Sequence, residues 1–155
     1  IVFAIEFESN KGLEPIKIYG RNGQLLDDYW YEMGGPGAYN NTAIHAFSNF
    51  MLIYGPNFTT GHTSVISPSS QVRYALQIIR SVLQGEANVL DVKKDGERHY
   101  VEKIQEVSKT RVFTHCSSWY VSENGWNGTL YPWSQLTFWW KCFWPKWSAW
   151  TYKVS

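Results

Sequence analysis

The chemistry-bearing residues of this sequence gather around one loop. Gly61-His62-Thr63-Ser64 runs into the best helical pattern in the chain. The first N–H groups of a helix have no intrahelical acceptor, so they point into that loop and make it an anion or carbonyl site in principle. The loop lacks the glycine spacing that cradles phosphates. Neither G-x-G-x-x-G nor G-x-x-x-x-G-K-[ST] occurs, and G-x-S-x-G and H-E-x-x-H are absent as well. His45, His62, His99 and His115 fall at no metal-ligand spacing, so no metal is expected. Cys116 and Cys142 form no zinc spacing, no C-x-x-C and no disulfide framework. They read as inert, buried thiols of a cytoplasmic protein. Three N-x-T triplets begin at Asn40, Asn57 and Asn127; with no secretory signal before them they read as coincidence.

The elements that must position this loop follow from pattern and composition. The chain has 155 residues with 14 basic and 13 acidic side chains, a net charge of +1, and 17% aromatic content. One domain spanning 1–155 is expected, and the near-zero charge excludes a nucleic-acid surface. Eight of the nine Trp lie in the last quarter of the chain. Their stretch is interrupted by polar residues and does not span a membrane. The apolar run at 1–5 has no basic region ahead of it and is too short for a signal peptide.

Residues 1–7 and 50–54 read as strands buried on both faces, the second stopped by Gly55-Pro56-Asn57, with a short strand at 16–19. Residues 24–33 suit two helical turns before Gly34-Gly35-Pro36-Gly37. The long helix takes Ser67 as N-cap and Pro68 as its first residue. It puts Val72, Ala75, Leu76, Ile79, Val82 and Leu83 on one face and ends before Gly85. A strand at 89–92 and a helix from Asp95, its N-cap, to Ser108 follow. That helix carries Tyr100, Val101, Ile104 and Val107 on one side, and the charge run from Lys93 to Arg98 reads as its solvated start, with His99 solvated too. A Trp-rich helical turn or two precedes Pro145. The fold class is α+β. Double-buried strands need cover on both faces, so self-association or the aromatic C-terminal segment must supply it.

Gly55-Pro56-Asn57, then Gly61-His62-Thr63-Ser64, then Gln71-Val72-Arg73-Tyr74 resemble the C-terminal part of flavin-binding monooxygenases of the Baeyer–Villiger type, particularly fungal ones. The resemblance extends through Gly20-Arg21-Asn22-Gly23 with Trp30, and through Phe47-Ser48-Asn49-Phe50. It continues in Cys116-Ser117-Ser118-Trp119-Tyr120, Pro132-Trp133-Ser134 and Phe138-Trp139-Trp140, and so covers nearly the whole chain. It implies a small sheet remnant of an FAD-domain-like fold with two main helices and a Trp-rich C-terminal segment. The family's FAD and NADPH glycine loops have no counterpart in these residues. Its A-T-G-F strand beside the flavin is here Ala4-Ile5-Glu6-Phe7, and a Glu side chain intrudes where glycine allows close approach.

That departure leads to the expectation of a remnant working without cofactor on a small hydrophobic terpenoid or polyketide. The reaction would be a pericyclic (Diels–Alder type) ring closure or an isomerisation in secondary metabolism. Such chemistry needs orientation and a donor that polarises a carbonyl, and no redox group. His62 is the candidate acid–base group, Glu6 its partner and Asn57 the carbonyl donor. Trp30, Tyr39, Trp119, Tyr120, Trp133 and Trp139 would shape the cavity. The alternatives are the C-terminal portion of a working FAD- and NADPH-dependent monooxygenase, or a non-catalytic binding module. Equally, His62 could brace its loop, Glu6 could be a solvated strand end and Asn57 a turn residue. A homo-oligomer is expected, because the parent sheet's missing neighbours leave apolar surface uncovered.

Overall fold

The computed structural model describes residues 13, 15–59, 66–112 and 120–154. Its first helix, α1 (Leu26–Met33), follows a 3₁₀ turn at Arg21–Gly23 and ends where expected, at the glycine pair. Gly34 is left-handed (φ 106°), and the amides of Gly34 and Gly35 return to Tyr31 O (3.1 Å) and Trp30 O (2.8 Å). Close approach also demands glycine here. A Cβ on Gly35 would lie 2.4 Å from Trp126 Cδ1, and one on Gly34 2.9 Å from Cζ3 of the same ring.

The long helix, α2 (Ile66–Leu83), begins one residue ahead of Ser67, so Pro68 sits within the first turn instead of opening it. Its C-terminus closes with left-handed Gly85, whose amide reaches Val82 O (3.1 Å) while that of Glu86 reaches Ser81 O (2.9 Å). The buried face differs from the expected one. Gln71, Tyr74 and Ile78 face inward, whereas Val72, Leu76 and Leu83 are exposed. The Gln71 amide is buried there because it bonds Asn41 O, Thr42 Oγ1 and Tyr54 N, which a hydrophobicity pattern does not register.

β1 (Val89–Val92) and β2 (Trp150–Lys153) pair antiparallel, Val89 opposite Lys153 and Val92 opposite Trp150. Between them lie α3 (Lys94–Ser108), α4 (Gln135–Phe143) and a 3₁₀ turn at Trp147–Ala149. α3 takes Lys93, not Asp95, as N-cap; Asp95 and Glu97 fall in its first turn, where the helix dipole favours acids. α4 is capped by Ser134, whose Oγ accepts from Thr137 N at 3.3 Å.

Two expected strands are loops. Residues 16–19 contribute one bridge, Tyr19 to Leu25, and residues 50–54 another, Met51 to Ala43. Left-handed Asn49 just before the second run and Tyr54 at its end (φ 59° and 62°) break the extended backbone, and Ile53 and Tyr54 are exposed. Its amides are satisfied off-sheet, Leu52 N by Thr42 O (2.7 Å) and Tyr54 N by Gln71 Oε1 (2.9 Å). The strand expected at 1–7 lies outside the described residues. Among the described residues the sheet is two-stranded and antiparallel, and the class is α+β as read.

One hydrophobic cluster joins Tyr74, Ile78, Leu90, Phe138 and Trp150 from α2, the sheet and α4. A second gathers Leu26, Trp30, Ile44, Phe47 and Leu52 around α1. Among the described residues no helix is long and apolar enough to cross a membrane.

Candidate functional site

The Gly-Pro-Asn loop is held by a knot of buried asparagines. Asn41 donates through Nδ2 to Pro56 O (2.8 Å) and Asn57 O, and its Oδ1 accepts from the Tyr100 hydroxyl at 2.7 Å. Gln71 of α2 donates to Asn41 O (2.8 Å), tying the long helix to the same turn. Asn57, left-handed and 1% exposed, donates through Nδ2 to Asn127 O (2.6 Å) and Leu130 O (3.4 Å). Asn127 in turn bonds Ser108 Oγ (2.8 Å) and Leu130 O (2.7 Å), and its Oδ1 receives the Thr129 and Leu130 amides. The asparagines of all three N-x-T triplets, Asn40, Asn57 and Asn127, are buried.

Beyond Tyr100 lies a cavity of about 590 Å³, walled by α3, α4 and the residues before β2. Tyr39, Tyr74, Tyr100 and Trp133 line it. The Tyr39 and Tyr100 rings meet at 5.3 Å between centroids. Lys141 of α4 reaches in, its Nζ 4.3 Å from the centroid of Trp133 and 5.1 Å from that of Tyr100. Burial holds this ammonium below the usual lysine range. Cys142 beside it is buried as expected, and burial pushes its thiol up to about 12, which disfavours the thiolate; its Sγ accepts from Asn40 Nδ2 at 3.7 Å. Lys93, Lys103, Lys146, His99 and Asp95 stand at the rim. His99 is exposed, as read.

A third polar cluster joins α1, α3 and β1. Asp91 pairs with Arg21 and accepts the Ala46 amide (3.1 Å), while His45 Nδ1 lies 2.8 Å from Val92 O. Glu97 is 1% exposed and accepts from the Tyr29 hydroxyl and from His45 N (3.2 Å). Within the charge run expected to be solvated, Glu97 therefore faces the core. Its spacing with Val101, Ile104 and Ser108, the other buried positions of α3, is the signal that identifies it.

Glu6, His62 and Trp119 lie outside the described residues. Asn57 offers no donor to a substrate carbonyl, because its amide hydrogens already meet main-chain carbonyls; only Oδ1 is left without a partner. Tyr39 and Trp133 share the cavity. Trp30 belongs to the α1 cluster, its indole N–H donating to Gly37 O at 2.7 Å. Tyr120 is partly buried at the start of a loop, and Trp139 stacks on Phe143 (5.2 Å, 28°) at the surface of α4. Neither lines the cavity. Sequence reading missed Lys141, Tyr100 and Glu97. No group of His, Cys, Asp or Glu among the described residues could hold a metal ion.

No family profile matches the chain. Its sequence is 34% identical over 132 residues to the FAD-binding monooxygenase ktnD of Aspergillus niger, covering 81% of this chain and 21% of that protein. It is 32% identical over 136 residues to a Baeyer–Villiger monooxygenase of Pseudomonas aeruginosa, covering 85% of this chain and 25% of that protein. The fold superposes on cyclohexanone monooxygenase from Rhodococcus sp. Phi1 bound to NADP+ with a TM-score of 0.81, over 96% of this chain and 29% of that one, at 20% identity. A steroid monooxygenase bound to NADP gives a TM-score of 0.73 over 90% of this chain. The chain is thus a relative of the FAD-binding and Baeyer–Villiger monooxygenases over most of its own length, and it spans about a quarter of theirs.

Proposed function

We infer that these residues form the C-terminal part of an FAD- and NADPH-dependent monooxygenase that inserts oxygen into a small hydrophobic carbonyl substrate. The observation that carries this reading is the match of 96% of the chain to one continuous fold, that of cyclohexanone monooxygenase. The donor set suits a flavin edge. The first-turn amides of α2 lack intrahelical acceptors, and buried Asn57 Oδ1, in the loop that leads towards that helix, lacks a donor. When bound, the flavin supplies oxygen activation and NADPH the reducing equivalents. This chain's own part is to fix the Gly-Pro-Asn turn through Asn41 and Asn127 and to tie it to α2 through Gln71. Self-association belongs instead to the free-standing reading, in which the parent sheet's neighbours are missing.

The native polypeptide carrying these residues is expected to purify yellow and to consume NADPH, giving product heavier by one oxygen. A colourless protein that converts a linear unsaturated terpenoid to an isomer of equal mass would overturn this reading. It would establish the second one, cofactor-free ring closure, which Glu6 in place of the flavin-side glycine favours.

A further inference from the structure

We propose that the cavity between α3 and α4 is a binding site for a planar aromatic carboxylate, distinct from the end of α2 at which the flavin reading places the chemistry. The cavity touches α2 only through Tyr74, two turns from that helix's N-terminus, or about 12 Å along its axis. At about 590 Å³ it lies within the range that holds small-molecule ligands.

Its chemistry is asymmetric. The inner wall is aromatic: Tyr39, Tyr100 and Trp133 offer faces and edges on which a flat ring can stack. Lys141 stands against that wall, and no carboxylate among the described residues pairs with it. Among the described residues its positive charge is met by the ring faces of Tyr100, Tyr131 and Trp133. Aromatic quadrupoles compensate a partly dehydrated ammonium incompletely, so an entering anion gains a charge-assisted bond in a water-poor setting. Two of the rim cations are already engaged. Lys93 donates to Ser148 O (2.8 Å), Lys103 is paired with Glu106 (3.1 Å), and Asp95 subtracts one charge. An uncompensated inner cation beside an aromatic wall selects a flat ring bearing a carboxylate over a neutral one.

The test titrates the native polypeptide with 1-naphthoate and with its neutral isostere 1-naphthalenemethanol, following tryptophan fluorescence and calorimetry. Saturable 1:1 binding of naphthoate is expected, with the alcohol weaker by about tenfold or more. Lys141→Gln should remove that preference while Lys141→Arg retains it, and Trp133→Leu should weaken both ligands. Equal affinity for acid and alcohol overturns the proposal, as does naphthoate binding unchanged by Lys141→Gln. So does absence of saturation below about 1 mM, the result expected if another segment of a longer polypeptide fills the cavity. Should Lys141→Gln not fold, the acid–alcohol comparison on the unmodified protein decides alone. Flavin absorbance and NADPH consumption in the same sample separate failure of this site from failure of the monooxygenase reading.

Discussion

Glu97 sits in the opening turn of α3 with the Tyr29 hydroxyl and the His45 amide on Oε2 and no partner on Oε1. Burial raises its pKa to about 7 against the opposing pull of those two bonds; Asp91 adds to the rise and Lys94 resists it. A folded pKa above the ordinary value of 4.5 means that the unfolded chain loses the proton first. Stability is therefore full below about pH 4.5 and falls as pH climbs through 7, by up to about 3 kcal/mol. Urea unfolding at pH 5 and pH 8 should show this loss, and Glu97→Gln should flatten it; an unchanged slope in the variant would refute the assignment. Asn127→Ala would remove the amide that bonds both the N–H and the C=O of buried Leu130 and should cost about 2 kcal/mol in the same assay. Residue type made Asn57, Tyr39 and Trp133 legible as candidates in the sequence. Glu97 was not, because a charge in a polar helix reads as solvated until its neighbours are known, and Lys141 was not, because it stood as one of the polar breaks in the Trp-rich stretch.

Helix C-termini were the most legible elements, since their glycine signals are local, whereas the starts of α2 and α3 lie one or two residues from where they were expected. The pair Gly34-Gly35 and Gly85 stop α1 and α2 where the sequence places the stops. The two stops differ in what they demand. Gly85 has φ 74° and open space around a Cβ, so Gly85→Ala should cost only about 1 kcal/mol, from backbone strain alone. Gly35→Ala drives a methyl into the Trp126 indole and should cost more than about 2 kcal/mol. Thermal melts of the two variants should rank in that order, and equal losses would contradict the packing account. The run at 50–54 was misread for the opposite reason. Its apolar content suits a strand, but the left-handed Asn49 and Tyr54 take their conformation from partners distant in sequence. The apolar face of α2 was displaced for a related cause, because Gln71 is buried by its bonds to Asn41 and Thr42 and not by hydrophobicity.

Across the whole molecule, apolar surface remains uncovered along the packed pair of α2 and α4, where Val72, Leu76, Leu136, Trp140 and Trp144 are exposed. If these residues stand alone, that face should drive a dimer or larger assembly, read by light scattering at micromolar concentration; a monomer mass would remove that expectation. The family was legible because its motifs survive in order along nearly the entire chain, while the cavity was not, since α3, α4 and the turn before β2 meet only in the fold. The burial of Asn40, Asn57 and Asn127 has a consequence for how the protein can be made. Oligosaccharide transfer acts on N-x-T in nascent, extended chain, and a glycan on any of these side chains would prevent its turn from closing. Export through a glycosylating secretory route should therefore yield modified, misfolded chains, and Thr42→Ala, Thr59→Ala and Thr129→Ala together would restore unmodified asparagines there.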